Sequence, residues 1–183
     1  REAGIPLLVT REPGGTELGE QLRQLLLQKE GLAPTPMAEL LMVFAARAQH
    51  VDTVIAPALQ RGEWVLCDRF TDASFAYQGF GRGLPLGAIQ QLAKLAHPHI
   101  NPNLSILLDV DPKVGLERAR ARGELDRFEL EAIPFFEAVR NGYLQRVKLE
   151  PHRWRVIDAG VALEQVEQQL GNCLKEWIAD AIS

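Results

Sequence analysis

Four short apolar runs decide most of what this chain can become. Ile5-Pro6-Leu7-Leu8-Val9-Thr10, Trp64-Val65-Leu66-Cys67, Leu104 to Leu108 and Trp154-Arg155-Val156-Ile157 each stop abruptly on polar residues, namely Arg11-Glu12, Asp68-Arg69, Asp109 and Asp158. Short apolar runs bounded by turn residues suit buried strands, and apolar residues at helical spacing suit the stretches between them. The order is strand, helices, strand, helices, strand, helices, strand, helix. Such alternation predicts an α/β fold: a parallel sheet with right-handed crossovers and helices on both faces. All four strands then end on one edge, which in open α/β sheets is where ligands bind.

The helical stretches carry readable faces. Thr16 is placed to cap a helix with Glu17 and Glu20 in its first turn and Leu18, Leu22, Leu25 and Leu26 on its apolar face. After the break from Gly31 to Pro36, a long helix runs to about Gln60. Its core stripe is Met37, Leu40, Leu41, Phe44, Ala48, Val51, Ile55 and Leu59, and a second stripe holds Glu39, Val43, Arg47 and His50. Phe80 to Pro85 reads as a mobile loop, and Leu86 to Ala96 as a short helix. A basic helix over 113–122 opens at Pro112. Glu129 to Glu150 is a helix with Ile133, Phe136, Arg140, Tyr143 and Val147 inward. A closing helix from Val161 to Ile182 turns Leu163, Val166, Leu170, Cys173, Leu174 and Trp177 inward.

At 183 residues one domain is expected over 1–183, and 46% apolar residues supply a core. The net charge of −4 argues against a general nucleic-acid binder. No apolar run is long enough for a membrane helix, so no membrane partner is expected. Cys67 and Cys173 stand far apart without metal-ligand spacing and read as two reduced thiols. Arg1-Glu2-Ala3-Gly4 looks like a helix end with no helix before it.

Chemistry concentrates after the second strand, in Asp68-Arg69-Phe70-Thr71-Asp72-Ala73-Ser74-Phe75-Ala76-Tyr77-Gln78-Gly79. Arg69 at the strand end, with Arg47 from a neighbouring helix, favours a phosphate, because guanidinium forks match phosphate oxygens. Ser74, Tyr77 and Gln78 follow at the spacing of a helical turn and suit a small, flat, polar molecule. Arg118, Arg120 and Arg122 precede Gly123-Glu124-Leu125-Asp126-Arg127, a glycine-hinged loop carrying arginines. Either this is a solvated charged face, or it is the movable cation cluster that phosphoryl transfer requires. His50, His97, His99 and His152 show no catalytic pairing and read as structural or surface residues.

Together these motifs resemble bacterial thymidylate kinase. The resemblance rests on Thr10-Arg11-Glu12-Pro13-Gly14-Gly15-Thr16, Phe44-Ala45-Ala46-Arg47, Asp68-Arg69 through Ala76-Tyr77-Gln78-Gly79, Leu108-Asp109-Val110 and Arg118 to Gly123 with Asp126-Arg127. It implies a nucleoside monophosphate kinase variant of the P-loop fold, with a lid at about 113–128. It implies transfer of a phosphoryl group from ATP to dTMP with magnesium, for dTTP synthesis, in a cytoplasmic homodimer; the long helix 35–60, apolar around much of its circumference, is the candidate interface. Arg69 would hold the dTMP phosphate, with Arg47 beside it. Ser74 and Gln78 would meet the thymine edge, and Tyr77 would lie under the deoxyribose and disfavour a 2′-hydroxyl. Glu12-Pro13 would wall the acceptor, through a bond that can be cis in relatives. Asp68 would orient Arg69 or, like Glu12, reach magnesium through water. Arg118, Arg122 and Arg127 would belong to the lid, and the loop after Asp158 would border adenine. The thymine-stacking position falls to Val43 or Phe44. The competing readings are another pyrimidine nucleotide or nucleoside kinase and a non-catalytic nucleotide-binding domain. The Gly-x-x-x-x-Gly-Lys-Ser/Thr phosphate loop does not occur in these residues. The resemblance puts it before Arg1, so a truncated chain of impaired activity is expected.

Overall fold

A computed structural model describes residues 4–29, 31, 33–123 and 125–182. Arg1 to Ala3 of the expected helix end, and Glu124 of the arginine loop, lie outside the described residues. The strands are β1 (Leu7–Arg11), β2 (Trp64–Asp68), β3 (Ser105–Asp109) and β4 (Trp154–Asp158). The helices are α1 (Glu17–Leu27), α2 (Pro36–His50), α3 (Ala56–Gln60), α4 (Thr71–Ser74), α5 (Leu86–Ala96), α6 (Pro112–Arg122), α7 (Ile133–Leu149) and α8 (Leu163–Ile182).

All pairing is parallel, as the alternation predicted. The described strands form two pairs, however, and not one continuous sheet: β1 with β2, and β3 with β4. The apolar runs are therefore covered on one face only, and Val9, Leu66, Leu108 and Val156 are about half exposed. Helix α8 ties the pairs together. It packs on β4, and Trp177 meets Trp64 of β2 edge-on at 5.3 Å.

Local signals set the helix starts. Thr16 accepts from the Gly19 amide at 2.9 Å, Thr35 from Ala38 at 3.3 Å, and Asp111 from Lys113 at 2.9 Å. The long helix is continuous to Gln60, but it passes through a π-helical turn, Val51–Ile55, between α2 and α3. Pro57 lies two residues past the turn. Proline has no N–H to donate and crowds the carbonyl four residues back, which the wider turn accommodates. The buried face of this helix also differs from the expected one. Met37, Leu41 and Leu59 are exposed, whereas Glu39, Leu40, Val43, Phe44, Ala46, Arg47 and His50 are buried. The polar second stripe thus faces inward, because the site lies on that side.

Helix α4 runs on through a second π-helical stretch, Phe75–Gly81. The expected loop at 80–85 is accordingly shorter: Arg82 donates its amide to Tyr77 at 2.9 Å, and Leu84 to Gln78 at 3.0 Å. Helix α7 begins only at Ile133. It buries Phe135, Val139 and Gly142, one position off the face read from the sequence. Two small cores result. Leu40, Phe44 and Ile89 gather Phe75, Leu84 and Leu92, and Ala76, Phe135 and Val139 gather Tyr77, Phe128 and Tyr143. In α8, Val166 is buried while Leu163 and Leu174 are exposed.

Candidate functional site

A pocket opens at the C-terminal ends of β1 and β2. Glu12, Pro13, Arg23, Val43, Arg47, Asp68, Arg69, Ser74, Tyr77 and Gln78 line it, with Asp126 and Phe128 from the segment before α7. The strand-end reading therefore holds for β1 and β2. Asp109 and Asp158 do not line this pocket. Two Arg140 nitrogens bond the Asp109 carboxylate at 2.7 and 2.8 Å and hold it below the ordinary carboxylate range. Asp158 accepts from the Gly160 amide at 2.8 Å.

Arg69 is the most unusual residue in the pocket. Its φ is +65°, a left-handed backbone that costs a side-chain-bearing residue energy and persists only where the surroundings enforce it. Two contacts fix it there. The Cys67 thiol donates to the Arg69 carbonyl at 3.0 Å, and the guanidinium lies over the Tyr77 ring at 4.9 Å. Burial, with the field of Glu12, pushes the Cys67 thiol up to about 12, so it stays a protonated donor. Burial opposes the Arg69 charge, but the fields of Tyr77, Tyr143, Asp68 and Asp126 outweigh it and raise its pKa. Arg23, which the sequence reading missed, donates to the Pro13 carbonyl at 3.1 Å. Burial and the neighbouring cation Arg11 pull its pKa down, and Arg69 adds to that. Arg23 and Arg69 both line the open pocket, and two guanidiniums placed there suit an anion.

Arg47 has a different occupation. It is fully buried between the Phe44 and Phe70 rings, at 4.6 and 5.3 Å. Its Nε donates to Glu12 Oε2 at 2.6 Å and its Nη1 to Ser74 Oγ at 3.0 Å. The other Glu12 oxygen accepts from His50 Nδ1 at 3.1 Å, and His50 Nε2 lies 2.7 Å from Thr10 Oγ1. The peptide before Pro13 is cis. Gly15 sits at φ +76°, where a Cβ would lie 2.4 Å from the His50 ring; only glycine lets the turn close on this chain of bonds. His50, expected to be a structural or surface histidine, is structural: fully buried, it holds the pocket-lining Glu12 from behind. Its place on the stripe with Glu39, Val43 and Arg47 was the available signal.

The two stacking candidates separate clearly. Val43 lines the pocket, whereas Phe44 is in the core against Leu40 and Ile89 and outside the pocket lining. The offset that placed Phe44 near Arg47 is real, but its ring stacks on the guanidinium. Tyr77 is clamped edge-on by Phe128, Phe135 and Tyr143, at 5.8, 6.0 and 6.5 Å.

The arginines assigned together to a lid have three separate positions. Arg118 donates to the Ala159 carbonyl at 2.6 Å, so the basic helix holds the loop after Asp158. Arg122 pairs with Glu129 at 2.5 Å and is largely exposed. Arg127 is bound to Glu39 at 2.7 Å and to the Leu26 carbonyl at 2.7 Å, and these contacts fix it below the pocket.

For a metal, Glu12, His50 and Cys67 place ligand atoms within 4.8 Å of one another. Both Glu12 oxygens are already bonded and a guanidinium sits beside them, which does not suit a cation. Asp68 fits better. Its carboxylate lines the pocket and has no hydrogen-bond partner among the described residues. Magnesium commonly takes one or two carboxylates together with substrate phosphates.

A parallel α/β scaffold whose strand ends hold a pocket lined by three arginines suits the nucleoside monophosphate kinase class. The model of the thymidylate kinase family matches residues 1–170. The thymidylate kinase of Teredinibacter turnerae is 52% identical over 178 residues, covering 97% of this chain and 87% of that protein. That of Pseudomonas fluorescens is 53% identical over 170 residues, covering 93% and 81%. The crystal structure of thymidylate kinase from Ehrlichia chaffeensis superposes with a TM-score of 0.72 at 33% identity, covering 92% of this chain and 80% of that one. The chain belongs to the thymidylate kinase family.

Proposed function

We infer that this chain transfers the γ-phosphoryl group of ATP to dTMP, yielding dTDP and ADP. The observation that carries the reading is the pocket, whose lining joins Arg69 and Arg23, suited to a phosphate, with Ser74, Tyr77 and Gln78, suited to a nucleoside. An acceptor phosphate oxygen is already anionic at neutral pH, so no general base is needed. Catalysis is then positioning and charge neutralisation. This fits a pocket lined by Arg23, Arg47 and Arg69, with no histidine among its described lining residues.

Arg69 takes the acceptor phosphate, and its strained backbone aims the guanidinium off the strand end. Ser74 and Gln78 meet the base, Val43 packs on its face, and Tyr77 lies under the deoxyribose, where its clamped ring leaves no room for a 2′-hydroxyl. Glu12 and Arg47 act as the rigid wall behind the phosphate. Asp68 is the residue for a magnesium-bound water; the ion, when bound, supplies positive charge across the transferred phosphates. Arg118 and Arg122 belong to a lid at about 113–128 of a single domain, with Arg118 also bracing the adenine-side loop after Asp158. The exposed Met37, Leu41 and Leu59 of the long helix suit a homodimer interface in a cytoplasmic enzyme of dTTP synthesis. No described helix is long and apolar enough to cross a membrane.

The test combines calorimetry with a coupled ADP-release assay. Tight binding of dTMP, weaker binding of UMP and of thymidine, and loss of dTMP binding in Arg69→Ala are expected. Equal affinity for thymidine and dTMP would remove the role given to Arg69, and equal affinity for UMP the role given to Tyr77.

A further inference from the structure

Beneath the pocket lies a buried carboxylate that the proposed reaction does not use. Glu39, on the inward stripe of α2, is 0% exposed. Three side chains converge on it. Gln78 Nε2 donates to its Oε1 at 2.8 Å. Arg127 Nη2 donates to its Oε2 at 2.7 Å, and Arg82 lies 3.3 Å from the same oxygen. Arg82 also bonds Glu131 at 2.5 Å, so the two guanidiniums face two carboxylates and the buried charge is balanced. A buried charge paired in this way fixes its neighbours firmly.

The chemical consequence falls on Gln78. An amide can turn either its NH2 or its carbonyl toward a partner. A carboxylate between two guanidiniums only accepts, so it compels the NH2 group to face inward. The side-chain Oε1 of Gln78 has no partner among the described residues, and Gln78 lines the pocket. We propose that Glu39 is the positioning residue for base selection: it locks the Gln78 amide so that only an acceptor is shown to the pocket. An acceptor there pairs with the N3–H of a neutral 4-oxopyrimidine such as thymine. It repels cytosine, whose N3 is itself an acceptor. A buried polar group left facing the wrong partner gives stronger selection than apolar fit can. Arg127, anchored on the Leu26 carbonyl, and Arg82, anchored on Glu131, hold the carboxylate in place from two directions.

The inference rests on the reading of the pocket as the dTMP site, and the experiment separates the two. Glu39→Gln keeps the shape but offers an amide that can donate or accept, so Gln78 is free to turn over. Calorimetry of the full chain with dTMP and with dCMP is expected to show a preference for dTMP that falls at least tenfold in Glu39→Gln. Gln78→Ala should lose the same preference, and adding Glu39→Gln to it should change the ratio no further. General loosening of the fold would lower both affinities together and leave the ratio standing. A ratio within twofold of the parent in folded Glu39→Gln overturns the inference while leaving the dTMP site intact. A parent chain that binds neither nucleotide overturns both. Should Glu39→Gln not fold, N3-methyl-dTMP serves as the probe. It should bind the parent at least tenfold more weakly than dTMP, with the gap closing in Gln78→Ala, and equal binding of the two ligands by the parent overturns the inference.

Discussion

Arg69 pays for its position in backbone strain. The guanidinium that faces the pocket belongs to a residue at φ +65°, held by the Cys67 thiol and the Tyr77 ring. Comparing Arg69→Ala with Arg69→Gly isolates that strain, since both remove the side chain and only glycine is at ease in this region. Arg69→Gly is expected to be the more stable by ~1 kcal/mol in urea unfolding. Both should lose dTMP binding. Equal stability of the two variants would show that the left-handed backbone costs nothing here. The sequence placed Arg69 at a strand end facing a phosphate, and nothing in it showed the inverted φ, which the thiol, the ring and the sharp exit from β2 impose together. Likewise Arg47 was legible as a site arginine. Its engagement by Glu12, 35 residues earlier, was not, because that bond joins two elements that sequence patterns treat separately.

Among the elements, the helix carrying Ser74, Tyr77 and Gln78 is the one most dependent on its neighbours. It is short, its backbone is π-helical through Tyr77 and Gln78, and α7 lies against it. Gly142 makes the close approach possible, for a Cβ there would stand 2.9 Å from the Ala76 Cα and from the Phe80 ring. Backbone cannot retreat as a flexible side chain does. Gly142→Ala should therefore destabilise the fold by ~1–3 kcal/mol and weaken dTMP binding through displaced Tyr77 and Gln78. Urea denaturation and calorimetry check the two halves, and an unchanged dTMP affinity would mean the helix has slack. A second tie runs from Asp72 at the start of this helix. Its carboxylate bonds Arg146 of α7 at 2.8 Å and Arg153 beside β4 at 2.8 Å, and Arg153 reaches Ser105 of β3 at 2.6 Å. The β3–β4 pair thereby braces the site without lining it. Helix periods gave the existence of α2 and α7, but the buried face of each came out differently. An apolar residue at helical spacing is buried only if something packs on it, and in α2 the partner was the polar wall of the site.

At the scale of the whole molecule, stability should narrow on both sides of neutrality for identifiable reasons. Burial raises the Cys67 thiol from 9.0 to about 12, and burial raises the Tyr143 phenol as well. Above pH 9 the unfolded chain releases protons that the folded chain keeps, so stability falls as pH rises from roughly 9 to 12. On the acid side, Asp109 is lowered by Arg140, Glu150 by Arg153, and Glu20 by the Gly15 amide and Arg11. Their contribution is complete above the ordinary carboxylate range and is lost as pH falls below it. Urea midpoints measured from pH 3 to 11 should trace a dome, and Cys67→Ser should flatten its alkaline limb. A limb unaltered by that change would show that the thiol is not what titrates there.

The sequence by itself determined the parallel α/β architecture and the gathering of Arg47, Arg69, Ser74, Tyr77 and Gln78 near the end of one strand. These follow from local information: strand and helix periods, caps, and a dense motif within a dozen residues of one strand. Tertiary structure alone decided that the described strands form two pairs, that Val43 and not Phe44 faces the pocket, and that Arg127 is bound beneath it. It also decided that His50 bonds Glu12 and that Glu39 bonds Gln78. A buried polar residue is defined by what it bonds, and those partners lie 39 residues away for Glu39 and Gln78 and 88 for Glu39 and Arg127. No periodicity along the chain encodes such pairings; they exist only once packing has removed water and left these groups to satisfy one another.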